Sequence, residues 1–154
     1  MSLDCHTVPV FREARFGDFD AVVDLYRQMH PNDPELTDGS DATAYEQILR
    51  SNGLHLFVLE VDGRVVATTY LNVIPNLTRS ASPYAVIENV VVDEAVRGTG
   101  LGRRIMDATL QVAWDAGCYK AMLMTGSSEP AVHAFYLACG FSADAKTAYL
   151  ARPS

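Results

Sequence analysis

Apolar residues recur along this chain with two different periods, and the switches between them mark out the elements. Val8 to Arg12 is short and β-prone and predicts a first strand. From Asp18 the spacing turns helical: Phe19, Val22, Val23 and Tyr26 fall on one face, with Asp18 as the expected N-cap. His30-Pro31-Asn32-Asp33-Pro34 ends that helix, because two prolines and Asn/Asp oppose continuation. Asp41 to Arg50 predicts a second helix carrying Tyr45, Ile48 and Leu49, closed by Asn52-Gly53. His55 to Val61 and Arg64 to Val73 then flank Asp62-Gly63, a strong hairpin turn.

Pro75 to Pro83 reads as a loop and Tyr84 to Val92 as another strand. A glycine-rich turn at Gly98 to Gly102 leads into a helix reaching Ala116, with Leu101, Ile105, Ala108 and Val112 as its apolar stripe and Gly117 as its C′ residue. Tyr119 to Met124 predicts a strand. Ser127-Ser128-Glu129-Pro130 opens a helix that runs to about Cys139 and stops at Gly140. Ala145 to Ala151 predicts a final strand. The order is strand, two helices, three strands, helix, strand, helix, strand. It gives an α/β (α+β) sheet with helices packed on it, as a single domain over residues 1–154.

Composition narrows the function classes. The 154 residues are 49% hydrophobic, enough to bury one core, and carry a formal net charge of −7. Phosphate backbones bind basic surfaces, so this charge argues against nucleic acid as a partner. The acidity suits a cationic amine substrate, and equally serves plain solubility. Three cysteines, Cys5, Cys118 and Cys139, show no CxxC spacing, and the four histidines form no HExxH, so no metal is expected. Met1 to Arg12 does not read as a signal peptide and no apolar run approaches the ~20 residues of a membrane span. A reduced, cytoplasmic protein without a membrane partner is the expectation.

The chemistry concentrates where the strand Val90-Val91-Val92 runs into Asp93-Glu94-Ala95-Val96-Arg97-Gly98-Thr99-Gly100-Leu101-Gly102-Arg103. Glycines admit positive φ and close approach of a ligand. Successive N–H groups in such a turn make a concave nest, and the helix behind adds about half a positive charge. Arg97 and Arg103 flank the nest. The arrangement suits an anion, most naturally a pyrophosphate. A Walker A loop needs a lysine that is absent, and GxGxxG fails because position 103 is arginine. The pattern [R/Q]xxGxG/A is matched by Arg97, Gly100 and Gly102. An ordinary glycine-rich turn with surface arginines is the plain alternative.

With this motif the segment from Tyr84 to Phe141 resembles the GCN5-related N-acetyltransferases, the GNAT superfamily. The resemblance implies a mixed, mostly antiparallel, splayed β-sheet with helices on both faces. It implies that Arg97, Gly98, Thr99, Gly100, Leu101, Gly102 and Arg103 wrap the pyrophosphate of acetyl-CoA, and that Val90, Val91 and Val92 lend backbone groups to its pantetheine arm. His133-Ala134-Phe135-Tyr136-Leu137-Ala138-Cys139-Gly140-Phe141 resembles the family's second signature, FYxxxGF. Phe135 and Tyr136 would then lie by the cofactor, Phe135 mainly as packing. A phenol of pKa about 10 stays protonated near neutrality and can donate to a departing thiolate, so Tyr136 is the candidate general acid. Glu129 stands where the family often has a cofactor-contacting asparagine, and is expected to cap the helix instead.

A lysine-type amine, with pKa ~10.4, is neutral in only about one molecule in a few thousand at pH 7, so a base is needed. Glu88, in the apolar strand Val86-Ile87-Glu88-Asn89-Val90, is the candidate; the alternative is that it faces solvent or pairs with an arginine. Strict alternation would put it with Val86, Val90 and Val92, but the family commonly bulges this strand. Asn89, Tyr70 and Asn72 are further candidates for substrate contacts. Cys118 and Cys139 read as buried packing. The implied function is direct acetyl transfer from acetyl-CoA to a small-molecule amine. A protein N-terminal or lysine acetyltransferase, a CoA-binding sensor without turnover, and a nucleotide-binding domain stay open. Tyr26 to Asn52 and Val73 to Pro83 would choose the acceptor. Gly117-Cys118-Tyr119-Lys120 and the FYxxxGF stretch are similar to glucosamine-6-phosphate N-acetyltransferases, which raises an amino sugar. Dimerisation is common in the family, so a homodimer is also implied.

Overall fold

The computed structural model describes residues 7–154; Cys5, His6 and the start of the Met1 to Arg12 stretch lie outside them. Two compact units divide the chain, one up to Met124 and one from Thr125 to Ser154. The first holds a five-stranded sheet in the order β1 (Val10–Glu13), β2 (Leu54–Val61), β3 (Arg64–Ile74), β4 (Tyr84–Val92), β5 (Ala121–Met122). Neighbours are antiparallel except β4 and β5, which are parallel. The β2–β3 hairpin turns on Asp62 and Gly63, at φ 52° and 74°, the left-handed pair that a two-residue hairpin requires.

Helices cover both faces of this sheet. α1 (Phe19–Met29) and α2 (Ser40–Arg50) lay Val22 and Tyr45 against Leu56 and Val58, with Phe19, Tyr26, Ile48 and Leu49 around them. After the short helical turn α3 (Thr78–Ala81), the long helix α4 (Leu101–Asp115) packs Ile105 against Leu59 and Ala67 on the other face. Its buried side is Ile105, Met106, Thr109 and Ala113, which corrects the expected stripe through Leu101, Ala108 and Val112. Thr109 can enter the core because its hydroxyl is satisfied twice, by the Ile105 carbonyl and by Thr69 Oγ1, each at 2.7 Å. α4 ends as expected at Gly117, φ 81°, where Cys118 N–H reaches the Ala113 carbonyl and Gly117 N–H the Trp114 carbonyl, the two bonds of a Schellman cap.

Other expectations are revised. Asp18 sits at the start of α1 without a side-chain cap bond to it. Its carboxylate instead accepts from Arg12 Nη1 at 2.7 Å and from the Arg15 N–H at 2.7 Å, tying β1 to the preceding 3-10 turn. The expected loop over Pro75 to Pro83 contains α3, in which Arg79, Ser80 and Ala81 all take positive φ. The strand expected over Tyr119 to Met124 is cut to two residues, because only Ala85 and Val86 of β4 offer partners. The final strand over Ala145 to Ala151 is absent. That segment is alanine-rich and exposed, with Tyr149 at 91%, and has no ladder partner to hold it extended.

The second unit carries α5 (Pro130–Ala138), with proline in its first turn as expected. It starts later than Ser127. Glu129 occupies the N-cap position but its side chain caps nothing, contrary to expectation. Ser127 Oγ accepts from Glu129 N–H at 3.2 Å, and the His133 ring contacts the Ser127 carbonyl at 2.7 Å.

Candidate active site

The geometry begins with a fault in β4. Tyr70 opposes Glu88 and Thr68 opposes Val91, so two steps along β3 match three along β4. The extra residue is a β-bulge, with Asn89 left-handed at φ 50°. Asparagine is among the few non-glycine residues that tolerate this conformation. The bulge breaks the alternation: Glu88 shares a face with Tyr70 and Val91, and Val92 falls on the other face beside Ala67 and α4.

Beyond the bulge, β4 has a bare edge. Ala85 N–H bonds the Lys120 carbonyl at 2.9 Å on the β5 side, whereas Asp93 N–H bonds the Val66 carbonyl at 2.8 Å on the β3 side. Backbone groups alternate sides along a strand. Val91 and Asp93 are therefore committed to β3, and those of Val90 and Val92 face the edge that β5 has left, since β5 pairs only as far as Val86. This is the splay in the sheet. The Val92 carbonyl on that edge accepts from Arg97 Nε at 3.0 Å.

The edge leads straight into the glycine loop. Asp93 and the 3-10 turn Glu94–Val96 carry the chain to Gly98 and Gly100, at φ 77° and 85°. A Cβ at either glycine would meet no atom within 4 Å, so space in front of both is open. α4 begins with Gly100 at its N-cap, with no side-chain cap. The first backbone bond of the helix is Arg104 N–H to the Gly100 carbonyl, 3.1 Å, which leaves the amides of Leu101, Gly102 and Arg103 without intrahelical partners. Thr99 turns its hydroxyl back to the Val96 carbonyl. The flanking charges differ from expectation: Arg103 Nε lies on Asp107 at 2.9 and 3.0 Å, so this cation is shared along the helix. Arg97 is pinned through Nε alone, and among the described residues its two Nη groups have no partner. Uncapped amides, a helix N-terminus and one open guanidinium suit a diphosphate well.

Glu88 is half-buried and, among the described residues, makes no hydrogen bond or ion pair, so the expected alternative of pairing with an arginine is not realised. Its face is aromatic. Tyr70 opposes it, and Tyr26 of α1 lies beside the side chains of Asn89 and Thr68. Burial pushes the Tyr26 phenol up to about 12 and raises that of Tyr70 as well, so both are neutral donors at any physiological pH. Asn72 spends its amide on the Val86 carbonyl at 3.2 Å. Burial raises the Cys118 thiol, which makes it a poor nucleophile.

Phe135 and Tyr136 belong to the second unit. Their motif has a structural meaning of its own. Phe141 N–H bonds the Tyr136 carbonyl at 3.1 Å and Gly140 N–H the Leu137 carbonyl at 3.0 Å, a Schellman cap with Gly140 at φ 93°. The Tyr136 and Phe141 rings meet edge-on at 6.1 Å, the apolar contact that accompanies such a cap. The spacing from tyrosine to Gly-Phe is thus that of a helix stop. Burial, with Cys139 a lesser cause, raises its pKa and keeps it protonated.

A model described as the Acetyltransferase (GNAT) family matches residues 19–141, from α1 through the helix stop. This chain belongs to that family. Its open, mostly antiparallel sheet with helices agrees with the GNAT fold, and the family is one of acyltransferases. Probable glucosamine 6-phosphate N-acetyltransferase 2 of Oryza sativa subsp. japonica is 33% identical over 113 residues, 70% of this chain and 66% of that protein. Glucosamine 6-phosphate N-acetyltransferase 1 of the same plant is 32% identical over 120 residues, 76% of this chain and 70% of that protein. The match thus spans about two thirds of the length of these relatives. A putative acetyltransferase from Agrobacterium tumefaciens str. C58 superposes with TM-score 0.88 at 45% identity, over 94% of this chain and 99% of that one.

Tyr26 and Gln28 of this GNAT chain fall in the expected acceptor segment, but the structure also sets them beside the end of β4, which the sequence could not show because the partner of Gln28 is 66 positions away. Two concavities border α1, one including Gln28, Arg64 and Asp93 and one including Arg27, Glu35 and Asp41, and neither takes in the glycine loop. Among the described residues no group of His, Cys, Asp or Glu could hold a metal, and no helix is long and apolar enough to cross a membrane.

Proposed function

We propose that this chain is an acetyl-CoA-dependent N-acetyltransferase that delivers acetyl to a primary amine of a small molecule by direct attack, with residues 1–154 as one catalytic domain. The observation that carries the reading is the uncapped start of α4. Three amides without intrahelical partners stand behind two left-handed glycines, in continuity with the edge of Val90 and Val92 that no described strand pairs. In this reading Arg97 to Arg103 hold the diphosphate and the β4 edge holds the pantetheine amides. Phe135 and Tyr136 line the cofactor.

The thioester supplies an activated acyl carbon, and the residues manage the protons. Glu88, without a partner of its own, takes a proton from the ammonium, directly or through water. The freed amine attacks the carbonyl carbon, the carbon–sulfur bond breaks, and Tyr136 gives its proton to the sulfur; the nitrogen's second proton passes through water to the Tyr136 phenolate, leaving a neutral amide, and Glu88 releases its proton to solvent. Backbone N–H groups of the β4 edge offset the negative charge gathering on the carbonyl oxygen. The acceptor we favour is an amino sugar phosphate, because the named rice relatives act on glucosamine 6-phosphate. The reading includes a cytoplasmic setting and a homodimer, the latter open to light scattering. The test is an assay of thioester consumption with a panel of amines, including glucosamine 6-phosphate, glucosamine, aminoglycosides and lysine peptides. Turnover with a small amine supports the reading. Tight CoA binding without turnover on any amine would leave a binding protein in its place.

A further inference from the structure

The stretch of β4 that bears the open edge is gripped from α1. Gln28, in the last turn of α1, accepts a hydrogen bond from Glu94 N–H through Oε1 at 2.9 Å. Its side chain also lies beside the Asp93 carboxylate, in the same concavity, and helps to hold that carboxyl below its usual range. Asp93 is itself well fixed. Its side chain is 8% exposed, accepts from Ala95 N–H at 3.0 Å and pairs with Arg64 at 2.6 Å. Glu94–Val96 is the turn that delivers the chain from β4 to Gly98. One side-chain amide therefore holds the first residue of the turn that follows the strand.

Position 28 needs an acceptor for a backbone N–H beside a carboxylate, which a neutral amide provides without adding charge. Glutamate would keep the acceptor and face Asp93 with a like charge. Methionine would keep the volume and lose the bond. Two residues earlier, Tyr26 meets Asn89 at the other end of the same stretch, so α1 holds β4 on both sides of Val90, Val91 and Val92.

We propose that Gln28 is a positioning residue for the cofactor loop: it sets the direction in which the chain leaves β4, and with it the affinity for the diphosphate-bearing cosubstrate, while taking no part in proton transfer. The inference rests on the reading of the glycine loop as the CoA site. It also links the helix at the head of the acceptor-side segment to the loop that holds the donor.

The test uses the full chain and calorimetric titration with CoA, alongside steady-state kinetics on the best amine of the panel. Gln28→Met, which loses the bond to Glu94 N–H, and Gln28→Glu, which sets a like charge against Asp93, should each weaken CoA binding about tenfold. KM for acetyl-CoA should rise in step, with kcat and the amine KM within about twofold of wild type. The double variant Gln28→Glu/Asp93→Asn removes the like charge and should recover part of the affinity lost in Gln28→Glu. Unchanged CoA affinity in both single variants overturns the proposal. So does a parallel fall of kcat, amine binding and melting temperature with no rescue, which would make Gln28 a general stabiliser. A wild-type chain that ignores CoA would remove the loop reading itself and this proposal with it.

Discussion

Replacing Gly100 by valine separates the demands of the fold from those of the ligand. Gly100 stands at φ 85°, immediately before α4. An L-residue held there costs roughly 1–2 kcal/mol of backbone strain, and a β-branched one is the least tolerant. A Cβ at this place meets nothing within 4 Å, so the free protein has no clash to add. Gly100→Val should remain folded and lose roughly 1–2 kcal/mol of stability. The ligand suffers more, because the open space in front of the amides is where a diphosphate must approach. Denying it two charge-assisted amide bonds, at roughly 1.5–3 kcal/mol each, weakens binding by roughly 10²–10⁴. Gly53 is the contrasting control. It also has positive φ, 81°, but a Cβ there would come within 2.9 Å of the Val73 carbonyl. Gly53→Ala should lose stability and keep CoA affinity. Urea unfolding and calorimetry on both variants give the comparison. A folded Gly100→Val protein with wild-type CoA affinity would refute the cradle.

The remaining expectations concern protons. Tyr136→Phe should lower kcat by roughly 10²-fold or more with CoA affinity within about twofold, and unchanged turnover would remove Tyr136 from the chemistry. Glu88→Gln should cut turnover by a similar factor of roughly 10² while leaving CoA binding alone, as calorimetry against steady-state rates will show. Asp18 tests the fold. Its side-chain bonds with Arg12 hold its carboxyl below the usual range, so its contribution is present above the unfolded pKa of about 3.9 and is lost as pH falls through the folded value. Asp18→Asn should therefore cost roughly 1–2 kcal/mol in urea unfolding at pH 7, and the gap to wild type should close as the solution is taken below about pH 4. A gap independent of pH would contradict the pairing.

The elements with strong local punctuation were legible in the sequence. Asp62-Gly63 could only be a tight hairpin, and Gly117 only a helix stop. The Gly98 to Gly102 turn into α4 was legible because positive φ at Gly98 and Gly100 is a conformation glycine adopts freely. Long-range partners were not legible. The polarity of Thr109 hid its place in the core, since its satisfaction depends on Thr69, 40 positions away. Asp18 looked like a cap because the Arg12 that claims it lies on a different element. The face occupied by Glu88 turned on a single bulged residue, which alternation cannot foresee and which only the family resemblance suggested. The final strand failed for the converse reason: alanines and a tyrosine read as extended chain, but a strand exists only with a partner.

The sharpest test of the whole account is an amide-resolved NMR titration of the isotope-labelled chain with CoA. The cradle predicts saturable shifts centred on the N–H signals of Gly98 to Arg103, with Val90 and Val92 moving at the same ligand concentration. Saturable binding that leaves these signals in place, or no binding at all, would contradict it.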